Sequence, residues 1–105
     1  MAWLLLFAAG VVEVAMAGAL KASQGWTKPV PGAFGVVFAL LSIFLLTHAL
    51  KLLPSGTAYA VWTGIGAVGV ALLGIAAYGE SASPLRLACI GLVVVGVVGL
   101  RVSDT

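Results

Sequence analysis

From Trp3 to Leu20 the chain runs eighteen residues with a single charged side chain, Glu13, set near the middle. A run of that length and apolarity suits a helix crossing a hydrocarbon layer about 30 Å thick. A carboxylate at the centre of such a helix costs roughly 3 kcal/mol or more of insertion free energy unless it faces a cavity or a partner. Glu13 is therefore the first candidate for a working site. The alternative is a carboxyl kept protonated or paired for structural reasons alone. Of the 105 residues, 63% are hydrophobic and 8% charged, too few charges for the surface of a soluble domain.

The remaining spans follow from the breaks. Lys21 to Gly32, with Pro29 and Pro31, ends the first apolar run, and Trp26 within it reads as an interfacial anchor. Ala33 to Leu50 is apolar again, with Ser42, Thr47 and His48 as its polar positions; His48 falls near the end, at the interface rather than in a proton path. Pro54 and Gly56 punctuate a short turn, after which residues 57–78 carry no charge. Glu80 lies in the next loop, and residues 85–102 form a last span bounded by Arg86 and Arg101. The expectation is an all-α membrane protein, a single domain over residues 1–105 with four spans at 3–20, 33–50, 57–78 and 85–102. The first span has neither a basic leader nor a small-residue cleavage motif, which predicts that it is kept as a span.

The third span carries the densest chemistry. Tyr59, Trp62, Thr63 and Gly66 recur at i, i+3, i+4 and i+7, one face of a helix. Such a stripe serves packing in many helices. In a small protein with one buried acid it also offers hydrogen-bonding groups and electron-rich faces to a cation. Gly64, Gly66 and Gly69 predict close backbone approach or a bend in this helix. In the last span Gly91, Gly96 and Gly99 form a run of small residues suited to helix packing between subunits. Cys89 has no metal-ligand or disulfide pattern around it and reads as a buried apolar filler. No metal site or cofactor motif is present in the sequence, and without a basic stripe nucleic acid is not an expected partner.

Four spans enclose little volume, and the acid has no partner within its own chain, so a homodimer is expected. Lys21, Lys28 and Arg86 fall on one side and Lys51 and Arg101 on the other, a nearly balanced split. Weak orientation bias permits insertion both ways and an antiparallel pair, the inverted symmetry that suits alternating access.

The opening MAWLLL, Gly10 with Glu13, Lys21-x-Ser23-x-Gly25-Trp26-Thr27, and the run from Pro54-x-Gly56-Thr57 through Trp62-Thr63-Gly64-Ile65-Gly66 resemble the small multidrug resistance family over essentially the whole length. Lys51-x-Leu53-Pro54 and Trp62-Thr63-Gly64 are similar to its guanidinium-exporting subtype. The resemblance implies an antiparallel, dual-topology homodimer in the bacterial inner membrane that exchanges protons for guanidinium or a related organic cation, and no enzyme. It implies that Glu13 binds proton or cation, that Tyr59 and Trp62 line the site, that Ser42 hydrogen-bonds in the glutamate network, and that Gly10 is the small residue one turn before the acid. Thr63 shares their helical face. Met16 stands where the subtype has a tryptophan. A flexible thioether there admits another reading, a broader exporter of quaternary ammonium or hydrophobic cations. A subunit of a heteromeric exporter is the third.

Overall fold

The computed structural model describes residues 2–103, which form four helices: α1 (Ala2–Ala22), α2 (Pro29–Leu50), α3 (Ser55–Ala77) and α4 (Pro84–Ser103). Each is long and apolar enough to cross a membrane. At 1.5 Å per residue they span about 30–35 Å, matching the hydrocarbon thickness. The chain is thus a multi-pass membrane protein with no strand among the described residues.

Two boundaries differ from the sequence expectation, for one reason. Pro29 and Pro31 do not end a loop but open α2, and α3 begins at Ser55, directly after Pro54. Proline lacks the amide hydrogen that the first helical turn leaves unpaired, so it starts helices as readily as it stops them. The first loop is correspondingly short and internally bonded. Ser23 is buried, donates its hydroxyl hydrogen to the Leu20 carbonyl at 2.6 Å and accepts from the Trp26 amide at 3.2 Å. Trp26 is 64% exposed and turns its ring edge to Gly32, as an interfacial side chain would.

α1 is the central helix. It packs on α2 and on α3, whereas α4 packs on α3 alone. The buried core, Leu6, Ala9, Leu46, Ala49, Ala58 and Val61, draws on α1, α2 and α3 near one end of the bundle. The α1–α3 approach is close because bare glycines alternate between the two helices. Ile65 covers Gly10, Glu13 covers Gly66 and Val14 covers Gly69, and a Cβ at any of the three would overlap its neighbour. α3 runs unbroken from Ser55 to Ala77, so these glycines serve contact rather than a break.

α4 is the outlying helix, with no buried residue. A Cβ at Gly91, Gly96 or Gly99 would meet nothing within 4 Å, so none of the three packs against the chain's own helices. Cys89 is exposed, not the buried filler expected from its type, because the face it occupies meets no other helix of this chain. At the junction of α3 and α4 the Arg86 guanidinium donates to Glu80 at 2.7 Å. That hydrogen bond holds the Glu80 carboxyl below the ordinary carboxylate range. His48 Nδ1 lies 2.9 Å from the Phe44 carbonyl on its own helix, outside the contacts described next.

Candidate functional site

One side of α1, between α2 and α3, collects most of the side chains singled out above. Ala9, Glu13 and Met16 follow at helical spacing on that side. Ser42 of α2 is buried and donates its hydroxyl hydrogen to the Ala9 carbonyl at 2.7 Å. The same hydroxyl accepts from the Trp62 indole N–H at 2.9 Å. A single oxygen therefore ties α1, α2 and α3 together one turn before Glu13. Both partners are short, well-placed bonds inside an apolar bundle, where an unpaired polar group would be costly.

The consequence for Trp62 is orientation. With its N–H committed to Ser42, the indole is held at a fixed angle and presents its face, not its donor, to whatever approaches. Tyr59, one turn earlier on α3, lies beside it with ring centroids 5.4 Å apart and planes inclined at 58°. Tyr59 is 58% exposed, so this aromatic pair forms an open wall. Thr63 is also exposed, on the outer margin of the same stripe.

Glu13 itself lies against Gly66. The carboxyl group rests on the α3 backbone at the one position of the stripe without a side chain. Its Oε1 is buried and has no hydrogen-bond partner among the described residues. A buried, unpartnered carboxyl oxygen is a standing demand for a donor: a proton, a cation or a group from another chain satisfies it. Ser42 does not do so here, since its proton goes to Ala9. The expected hydrogen bond of Ser42 within the glutamate network is thus, in this structure, a bond to the helix that carries the glutamate.

Gly10 is buried against Ile65 and sets the α1–α3 distance. Met16 is partly buried. Neither Glu13 nor Met16 lines the large apolar groove on the opposite side of α1, which includes Phe7, Val11 and Val14. Two participants escaped the sequence reading. The Ala9 carbonyl is a backbone group with no side-chain signature, and the seating of Glu13 on Gly66 was visible only as a glycine at i+7 in an aromatic stripe.

Because the Glu13 carboxyl occupies the space above Gly66, Gly66→Ala should destabilise the folded protein by about 1–3 kcal/mol, the usual cost of overpacking. Combining it with Glu13→Asp, which shortens the acid by one methylene, should recover part of that loss. Unfolding in mixed micelles followed by circular dichroism measures both. Equal destabilisation of the single and double variants would show that the added methyl meets something other than the acid.

The profile of the family described as Small Multidrug Resistance protein matches residues 1–93. Among curated proteins, the chain is 50% identical over 104 residues to the "Guanidinium exporter" of Yersinia pestis, covering 99% of this chain and 100% of that protein. It is likewise 50% identical over 103 residues to the proteins of that name from Escherichia coli K12 and Salmonella typhimurium, covering 98% of each chain. Four spanning helices, one acid buried within the first of them and an end-to-end match of this depth have a single reading: the chain belongs to the small multidrug resistance family.

Proposed function

We propose that the protein is a proton-coupled antiporter that exports guanidinium or small substituted guanidinium ions across the inner membrane, working as an antiparallel homodimer. The observation that carries this reading is the buried Glu13 oxygen without a hydrogen-bond partner among the described residues, set beside an aromatic wall. The names of the half-identical relatives support the substrate class.

Burial disfavours the charged form of any carboxyl group, and a second acid nearby disfavours it further. In a dimer the two Glu13 side chains share one site and take up either protons or a cation. A guanidinium ion reverses the preference, because its planar fork of donors matches a carboxylate and its charge favours the ionised form. The indole face of Trp62 and the ring of Tyr59 flank such a cation, while Ser42 keeps the indole turned. Proton and cation thus compete for the same oxygens, and exchange needs no covalent step. If two protons enter for each monovalent cation that leaves, one net charge crosses, worth about 2.3 kcal/mol per 100 mV.

The packing also supports pairing. α4 leaves Gly96 and Gly99 uncovered within the chain, and a second copy of α4 fits a surface of small residues. The nearly balanced basic residues favour insertion in both orientations. A topology reporter fused to the C-terminus should therefore give signal on both sides of the membrane, and moving one or two lysines should bias it to one side. Signal from a single side in the unaltered protein would exclude the antiparallel pair.

Glu13→Gln keeps the size of the side chain but cannot trade a proton for a cation. In reconstituted vesicles it should abolish uptake driven by a pH gradient while leaving the dimer assembled on size exclusion. Gradient-driven transport in this variant would remove Glu13 from the mechanism.

The range of substrates is tied to Met16. A thioether one turn from the acid is flexible and leaves room for bulk, so guanidinium and longer, singly substituted guanidines should be carried at comparable rates. Met16→Trp should narrow that range. Electrophysiology on supported membranes, comparing the two proteins over guanidines of increasing chain length, decides between this and a Met16 without influence, for which the two profiles would overlay.

A further inference from the structure

The side of α1 facing away from Glu13 carries a second, unrelated feature. An apolar groove of about 1100 Å³ runs along α1, floored by α3 through Ile65 and Gly69, with Phe34 and Phe38 of α2 at one margin and Val94 and Val98 of α4 at the other, so that Phe7, Val11 and Val14 face α4 across it. It joins a smaller cavity of about 590 Å³ through Phe7, Ile65, Val97 and Val98, whose outer end is formed by Trp3 and Arg101. There the Arg101 guanidinium carbon stands 4.9 Å from the Trp3 ring centroid. At the far end, Lys21 Nζ lies 4.6 Å from the centroid of Tyr78, which lines the groove. The groove is therefore apolar along its length and flanked at each end by a cation stacked on an aromatic ring. From Trp3 to Lys21 along α1 it measures about 27 Å, close to the hydrocarbon thickness.

The two ends differ in charge. Beside Lys21 stand Glu80 and its partner Arg86, and Lys21 acts on the Glu80 carboxyl through space. Arg101 makes no ion pair among the described residues. Its guanidinium stacks on the Trp3 ring at the end of α4, a cation that no carboxylate among the described residues neutralises and that an oxyanion can therefore meet.

We infer that the α1–α4 groove is a binding site for an anionic phospholipid, with the phosphate at Arg101 and Trp3 and an acyl chain laid between α1 and α4. Charge complementarity selects the headgroup, and the apolar walls of Phe7, Val97 and Val98 receive the chain. A second copy of this chain is the other occupant to weigh, but Gly96 points elsewhere. It lies two residues from both Val94 and Val98, roughly half a turn around α4, so pairing through Gly96 leaves the groove facing lipid. The site is separate from the Glu13 side of α1 and does not depend on what that side transports. In an antiparallel pair it places one such headgroup contact in each leaflet.

The test uses the full protein reconstituted in phosphatidylcholine vesicles with and without phosphatidylglycerol, extracted gently, with bound lipids counted by native mass spectrometry. The wild type should retain phosphatidylglycerol over phosphatidylcholine about five-fold. Arg101→Gln should erase that preference, whereas Lys51→Gln, a cation at the same membrane face but away from the groove, should keep it. Val98→Trp fills the groove and should lower retention of both lipids, with Val98→Phe as the milder variant if the first loses helical content. Glu13→Gln should leave lipid retention unchanged, which separates this site from the transport site. Absence of preference in the wild type, or equal loss in the two cation variants, overturns the proposal. So does a Val98 variant that dissociates the dimer with its lipids intact, which would assign the groove to a second copy.

Discussion

The contact between the Glu13 carboxyl and the bare backbone of Gly66 governs much of the rest. An acid in the middle of a membrane helix has to be placed against something, and here it is placed against the only position of the Tyr59–Trp62–Gly66 stripe that has no side chain. That placement brings α1 and α3 close, and Gly10 under Ile65 and Gly69 under Val14 repeat the same device a turn to either side. Helix packing and the placement of the acid are therefore coupled at one contact. The glycine that lets the helices meet is the glycine that leaves the acid a seat.

Around this contact the polar groups divide their work. Ser42 spends its proton on the Ala9 carbonyl and its lone pair on the Trp62 indole, so it stiffens three helices where no charge is available to do so. Glu13 keeps an unpartnered oxygen among the described residues. The aromatic wall is thereby held still while the acid beside it stays unsatisfied among the described residues. The opposite side of α1 has no polar group of this kind and instead presents an apolar groove with cations at its ends.

The outlying position of α4 follows from the same economy. Three helices suffice to seat Glu13, and the fourth packs along α3, through Val97 against Gly64 among others, reaching α1 only where Arg101 stacks on Trp3. Its remaining surface is apolar and uncovered within the chain, from Leu92 to Val98. In lipid such a surface carries no penalty, since hydrocarbon tails are as apolar as leucine. It is free to be divided between a subunit contact and bound lipid.

The number of helices, their membrane character and the presence of one acid in the middle of the first were legible in the chain itself. Twenty-residue apolar runs and one charge within them are properties of order along the sequence, and the hydrocarbon core interprets them without help from tertiary contacts. The helical stripe of Tyr59, Trp62 and Gly66 was legible for the same reason, because periodicity is local. What the sequence could not determine was which partner each group takes. Pro29 looked like a breaker and is a helix start, Cys89 looked like core and is exposed, and Ser42 bonds not the acid but the carbonyl of Ala9, a group with no side-chain signature. Those outcomes depend on how three helices are rotated against one another. That rotation is set by glycine contacts between residues more than fifty positions apart, such as Glu13 with Gly66, and only the assembled bundle decides it.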